Sequence, residues 1–274
     1  MSNLTTRTIT GSFYVLSVIA AIFIHPIISA AYFFIIAMVG LNEFYLNSRK
    51  ANIKPNIILG NVLGVLSYTF VILCAECKEN ISSLLTLIIV VVCLSVFIVE
   101  LYKKEKEHFT NIAYTFLGCL YVVIPLSLTS LIINIKGDFS PMILMSVFIF
   151  AWCNDTFAYL IGRKFGKHKL FETISPKKTW EGSIAGFISI IIVAVVVALF
   201  DNNLKIYDYI IVAVLTSIIG TFGDLTESMF KRQVGVKDSG KILPGHGGIL
   251  DRFDILLLAL PIVYVYLKIR FSVY

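Results

Sequence analysis

Long apolar blocks run through this chain, separated by short polar stretches, at 12–25, 27–46, 57–75, 83–102, 112–133, 141–161, 180–200, 208–226 and 249–267. A helix crosses a bilayer with about 20 mostly apolar residues. Each block therefore predicts one spanning helix. The N-terminal stretch, with Arg7 before an apolar run, has the look of a signal peptide. The run continues past His25-Pro26 to Leu46, so two spans joined by a tight turn are predicted instead. The last three blocks carry polar residues near their ends and are the least lipid-like.

The predicted fold is all-α: a polytopic integral membrane helical bundle of about nine transmembrane helices. Residues 1–140 read as N-terminal transmembrane helices, about five spans serving as scaffold or dimerisation surface. Residues 141–274 read as the functional transmembrane region. The two halves match neither in span length nor in the placement of broken helices. A transporter built on repeats would show some such echo.

Composition agrees with the pattern. Apolar residues make up 58% of the 274 and charged residues 15%, against roughly 45–50% and 25% in soluble domains. Mean hydropathy is +0.88. An ordinary cytosolic enzyme, a disordered chain and a disulfide-rich secreted module are all excluded. Nine spans also leave too little chain for a separate soluble domain. The five cysteines are odd in number, and the C-x-x-C of Cys74 and Cys77 has no second pair, so they read as structural or incidental.

The net charge of +6 gains meaning once placed. With nine spans, eighteen of the 23 Lys and Arg fall on the side of the N-terminus and five on the other. That bias predicts a cytoplasmic N-terminus and cytoplasmic polar loops. The remaining cations read as anionic-lipid contacts and substrate contacts, and no nucleic-acid partner is expected. The expected location is a bacterial cytoplasmic membrane, since the chain is short and carries no extra targeting region. An organelle membrane stays open.

Polar residues gather in the second half. Glu43 and Glu100, in the first, lie at span ends and are expected to reach the interface. From Trp152 onward three clusters appear. In W-C-N-D-T-F-A-Y (152–159), Asp155 lies inside an apolar helix and shares a face with Tyr159. An intramembrane carboxylate is costly and is a functional candidate by default; a paired helix–helix contact is the plainer alternative. The second cluster joins G-R-K-F-G-K-H-K-L (162–170) to S-P-K-K-T-W-E-G (175–182). Gly162 and Gly166 allow turns and close backbone approach. Ser175-Pro176 can start a turn, which would set Lys177, Lys178 and Thr179 at a helix N-terminus suited to phosphate. A loop with topological charge would explain the lysines but not the Gly, Pro, Thr and Glu positions. No P-loop pattern is present.

The third cluster runs from Gly223 to Asp254. Asp224, Glu227 and Ser228 share a helix face, as do Asp251 and Asp254. Lys231, Arg232, Lys237 and Lys241 lie between them, with a glycine-rich loop at Pro244, Gly245, Gly247 and Gly248. Carboxylates beside cations at span mouths suggest Mg²⁺ and phosphates, since Mg²⁺ takes one or two carboxylates plus substrate oxygens. His246 is a candidate for a phosphate or backbone hydrogen bond, with metal ligation as the alternative. The residues alone predict a Mg²⁺–polyphosphate site at the cytoplasmic membrane face, with a lipid as well as a nucleotide as substrate.

The third cluster resembles the signature of the phosphatidate cytidylyltransferase (CDP-diacylglycerol synthase) family, S-x-φ-K-R-x4-K-D-x-small-x2-φ-[PG]-x-H-G-G-φ-x-D-R-φ-D. Ser228 through Asp254 fills every specified position. The two upstream clusters also resemble that family's motifs, in the same order. The resemblance implies that CTP and phosphatidate react to CDP-diacylglycerol and pyrophosphate, with Mg²⁺ required. It leaves room for a second, monovalent cation such as K⁺. It implies about nine spans and a homodimer.

Under that resemblance Asp224 and Asp251 are the expected metal ligands. Lys177, Lys178, Lys231, Arg232 and Lys237 would neutralise phosphates, and Asp155 and Asp254 would orient the metal shell or the cations. Ser175, Lys177, Lys178, Thr179, His246, Gly247, Gly248 and Arg252 are the expected nucleotide- and phosphate-binding positions. Asp238 would pair with a nearby lysine. The rivals are CTP-dependent cytidylyl transfer to, or a kinase acting on, another lipid (an ether lipid or a polyprenol) and an ion-coupled transporter using Asp155, Asp224 and Asp251 as a relay. A CDP-alcohol phosphotransferase is disfavoured because its D-G-x2-A-R-x8-G-x3-D-x3-D pattern is absent.

Overall fold

A computed structural model of the chain describes residues 3–75, 79–242, 244–245 and 247–272. Among the described residues, nine helical stretches are long and apolar enough to cross a membrane. They are α1 (Asn3–Ile24), α2 (Pro26–Lys50), α3 (Ile57–Ala75), α4 (Glu79–Leu101), the joined α5 (His108–Gly118) and α6 (Ile124–Ile132), α7 (Pro141–Phe165), α8 (Trp180–Phe200), α9 (Ile206–Gln233) and α10 (Leu250–Ser272). The protein is a multi-pass membrane helical bundle. Cys77 and His246 lie outside the described residues.

Local sequence sets the helix starts. Pro26 opens α2, and the ring Nδ1 of His25 accepts the Ile27 N–H at 3.2 Å. Pro141 opens α7 in the same first-turn position, where a missing N–H costs nothing. A π-helical stretch, Cys119–Val123, joins α5 to α6. Pro125, two residues past its end, has no N–H to give the Tyr121 carbonyl, so the widened turn accommodates the break. At the start of α9, Asp208 accepts the Lys205 N–H at 3.2 Å. It also takes Tyr266 Oη at 2.7 Å and Arg270 Nε at 3.0 Å, which ties the start of α9 to the end of α10.

α7 packs along α8, and α9 along α10. Small residues let α7 and α8 approach closely. An added Cβ at Gly182 would stand 2.6 Å from the Ala158 carbonyl and 3.0 Å from Gly162 Cα. The two halves of the chain interlock through aromatic rings. Phe33 of α2 lies 5.7 Å from Phe148 of α7 and 6.4 Å from Phe253 of α10, and Phe44 of α2 stacks on Phe230 of α9 at 4.6 Å. Outward faces stay apolar: Leu87, Val91 and Leu94 of α4 are exposed, as a lipid-facing helix requires.

Two expectations are corrected. Glu43 and Glu100 do not reach the interface; both are buried. Glu100 is held by Asn111 Nδ2 at 2.8 Å and Lys103 Nζ at 2.6 Å. Glu43 accepts the Leu250 N–H at 3.0 Å. Each carboxylate has found internal donors, which offset its desolvation.

Candidate active site

The segment between α7 and α8 is a small antiparallel hairpin, β1 (Lys169–Phe171) and β2 (Ser175–Thr179). The expected turn at Ser175-Pro176 is therefore a strand. Proline fixes its own φ and biases the preceding residue toward extended backbone. The Trp180 N–H closes the hairpin on the His168 carbonyl at 2.9 Å. Thr179 is the N-cap of α8, buried, and its hydroxyl accepts the Gly182 N–H at 3.3 Å. Lys177 and Lys178 thus project from a strand edge rather than from the first helical turn.

A cavity of about 560 Å³ opens between the hairpin, α7, α8 and α9, with Ile255 of α10 at its base. Arg163, Lys169, Lys177 and Lys178 supply its cationic side, and Asp155 and Asp224 its anionic side. Ser183 and Thr221 add hydroxyls. Lys178 forms an ion pair with Asp224. Asp155 and its neighbour Asn154 have divided roles. Asn154 is buried and accepts Ser217 Oγ at 2.7 Å, joining α7 to α9. Asp155 opens onto the cavity with Tyr159, one turn along the same face. Asp155, Asp224 and Asp254 are near enough to repel one another, and Lys178 and Arg252 offset the charge on Asp155.

Below the cavity, Lys231 bridges two carboxylates. It pairs with Glu227 one turn back on α9 and lies 2.7 Å from Asp251 Oδ1. Glu227 is fully buried, and its Oε1 finds no hydrogen-bond donor among the described residues. The other oxygen of Asp251 accepts the Ser239 N–H at 2.8 Å, the Ser239 hydroxyl at 2.9 Å and the Gly248 N–H at 2.8 Å. Gly247, at φ +87°, wraps so closely that a Cβ there would meet the Asp251 carboxylate.

The sequence-predicted residues are spread over several places. Asp155, Lys177, Lys178, Thr179 and Asp224 line the cavity. Lys231, Asp251, Gly247 and Gly248 form the hydrogen-bonded layer beneath it, with Asp254 one helical turn beyond Asp251. Ser175 begins β2 opposite Phe171, away from the cavity wall. Arg232 is exposed in the last turn of α9, and Lys237 and Asp238 are exposed beyond its end. The backbone carbonyl of Arg252 accepts Tyr14 Oη at 3.3 Å, so α1 touches the signature segment.

Several lining residues escaped the sequence reading. Arg163 and Lys169 belong to the second cluster but are not singled out there as site residues. Thr221 stands one turn before Asp224, a spacing that could have flagged it. Ser183 follows the close-packed Gly182 and had no signal of its own.

Among the described residues no three His, Cys, Asp or Glu side chains are gathered to hold a metal ion. Mg²⁺ does not need three, because it is commonly held by one or two carboxylates together with substrate phosphates and water. The donor set at the cavity is all oxygen, from Asp155, Asp224, Ser183 and Thr221, and fits a hard cation.

The chain has clear relatives. It is 32% identical to the phosphatidate cytidylyltransferase of Staphylococcus epidermidis over 262 residues, 95% of this chain and 98% of that one. It is 52% identical to the Staphylococcus haemolyticus protein of that name over 125 residues, covering 45% and 48% of the two chains. The Haemophilus influenzae phosphatidate cytidylyltransferase matches at 49% over 124 residues, 43% of each chain. These two closer matches span about half the length of the relatives concerned. The model of the Cytidylyltransferase family matches residues 5–270, and with that match running through nearly every span the chain belongs to the cytidylyltransferase family.

Proposed function

We infer that this protein is a phosphatidate cytidylyltransferase, moving CMP from CTP to phosphatidate to form CDP-diacylglycerol and pyrophosphate. The full-length similarity to the Staphylococcus epidermidis enzyme of that name carries the reading. The cavity supports it physically, with cations and carboxylates on facing walls at the ends of apolar helices.

The chemistry asks little of a general base. The phosphatidate phosphate is already anionic at neutral pH. One of its oxygens bonds to the α-phosphorus of CTP, and the bond from that phosphorus to the bridging oxygen breaks as pyrophosphate leaves. Positioning and charge neutralisation carry the catalysis. Asp224 would hold Mg²⁺ at the cavity, with Asp155 beside it and Asp254 orienting that shell, and Asp251 would join it by exchanging Lys231 for the ion, which would supply neutralisation of phosphate charge.

The cations of the chain do the rest. Lys177 and Lys178, at the strand edge, would meet the substrate phosphates. Lys178 would exchange its Asp224 partner for phosphate oxygen. Lys231 holds Asp251 in place from below, and Arg232 and Lys237, exposed beyond it, would draw the anionic substrates in. Arg163 and Lys169 join Lys177 on the cationic wall. A monovalent cation beside Mg²⁺ belongs to the same reading.

The location follows the charge bias: a bacterial cytoplasmic membrane, with the N-terminus and the site loops cytoplasmic, where CTP is available. A homodimer is part of the reading on the strength of the family resemblance, and cross-linking in native membranes tests it. The reaction itself is tested with purified protein in detergent, phosphatidate and α-labelled CTP. Labelled CDP-diacylglycerol forming with Mg²⁺, and not after chelation, is the expected result. Labelled product only with an ether lipid or polyprenyl phosphate would replace phosphatidate as the acceptor.

A further inference from the structure

The signature segment is gripped from the other half of the chain. Glu43, on α2, is buried to 6% exposure. Its Oε2 accepts the Leu250 N–H at 3.0 Å and lies 3.2 Å from Ser239 Oγ. One turn along the same face, Asn47 Nδ2 donates to the Ser239 carbonyl at 2.5 Å. Ser239 then donates to Asp251 Oδ2 from both its backbone N–H and its hydroxyl. A Cβ at Gly240 or Gly248 would run into the Glu43 carboxylate, which accounts for glycine at both places.

We propose that Glu43 is a positioning residue for the cytidylyl transfer: with Asn47 it fixes Ser239, and through Ser239 it sets the Asp251 carboxylate. The proposal rests on the reaction inferred above. A buried carboxylate is a poor way to stabilise a helix pair, since apolar side chains of similar volume do as well or better. Its hydrogen bonds run to one place, the loop that holds Asp251. The Ser239 hydroxyl has a single proton and two carboxylate neighbours, and the shorter contact, 2.9 Å against 3.2 Å, is to Asp251. Glutamine at 43 can keep an oxygen at the Oε2 position, where it accepts the Leu250 N–H and, being uncharged, leaves the serine proton to Asp251. Alanine offers no acceptor.

The test compares wild type with Glu43→Gln, Glu43→Ala and Asn47→Ala, all full-length in detergent. Without added metal, tryptic cleavage after the exposed Lys237 and Lys241 is followed by mass spectrometry. In Glu43→Ala and Asn47→Ala, cleavage at those two bonds should rise by about five-fold or more, because the loop has lost its anchors. With Mg²⁺, kcat should fall by about 10–100-fold while KM for CTP and phosphatidate moves by no more than about two-fold. Glu43→Gln should restore both readouts to near wild type. Wild-type cleavage and kcat in Glu43→Ala overturn the proposal, as does a Glu43→Gln variant as impaired as the alanine. Should Glu43→Ala not fold, Asn47→Ala and Glu43→Gln decide it: wild-type behaviour in Asn47→Ala overturns it. An inactive wild type would sink the inferred reaction, while the cleavage pattern would still report on the anchor.

Discussion

Lys178, at the edge of the hairpin, is ion-paired with Asp224 of α9 across the cavity. The pair closes the cationic wall against the anionic one, and an incoming phosphate must compete for that lysine. A hydrogen bond to a charged group contributes about 1.5–3 kcal/mol, which corresponds to roughly 10–150-fold in affinity. Lys178→Met should therefore raise KM for CTP or phosphatidate by that order. Asp224→Asn should instead lower kcat by about 100-fold or more, as expected for a group that stabilises developing phosphate charge through a metal. Steady-state kinetics on both substrates separates the two, and an unchanged KM in Lys178→Met would remove the lysine from phosphate binding.

Lys231 serves two buried carboxylates at once. Removing the cation leaves Glu227 buried and unpaired, a change that costs about 3–5 kcal/mol. Lys231→Met should accordingly lower the thermal midpoint in detergent by several degrees or more. Adding Glu227→Gln should recover much of that loss, because the carboxylate that remains, Asp251, keeps its Ser239 and Gly248 donors. Activity should stay low in the double variant, since Asp251 still lacks its cation. Recovery of both stability and turnover would mean that Lys231 matters for folding alone.

The span count was legible in the sequence because lipid imposes length and composition directly, with no need of long-range information. The signature cluster was legible because its charged residues sit close together in the chain. The hairpin was not: Ser175-Pro176 announces extended or turn backbone equally well, and only the Trp180–His168 hydrogen bond decides. Asn154 and Asp155 are adjacent letters, yet one joins two helices and the other faces the cavity. That divergence follows from how α7 is rotated against α8 and α9. Glu43 gave the wrong expectation because its partners, Ser239 and Leu250, lie about 200 residues away. A carboxylate at a span end looks like an interfacial residue until the loop that covers it is known.

The contact between α7 and α8 sets the width of the cavity, and it depends on Gly182. A Cβ there would meet two backbone atoms, the Ala158 carbonyl and Gly162 Cα, at 2.6 and 3.0 Å. Alanine in a helix interior normally gains up to about 1 kcal/mol over glycine. Here overpacking against backbone should cost about 1–3 kcal/mol and win. Gly182→Ala should be less stable than wild type in thermal unfolding, and Gly182→Val markedly so. A stabilised Gly182→Ala would show that the two helices can part without penalty.

The charge bias makes a prediction about sidedness that does not depend on activity. Glu172 is exposed in the turn between β1 and β2, and Asn202 is exposed between α8 and α9, at the other end of α8. In a background with the five native cysteines replaced, Glu172→Cys and Asn202→Cys report on the two faces. A membrane-impermeant maleimide added to intact cells should label Asn202→Cys and leave Glu172→Cys unlabelled until the membrane is opened. Arg163, Lys164, Lys167, Lys169, Lys177 and Lys178 surround the hairpin, whereas the cations at the Asn202 end are Lys136, Lys205 and Arg270. Such an asymmetry retains the lysine-rich side in the cytoplasm. The reverse labelling would put the cavity on the face without CTP, and the inferred reaction would then have no access to its nucleotide.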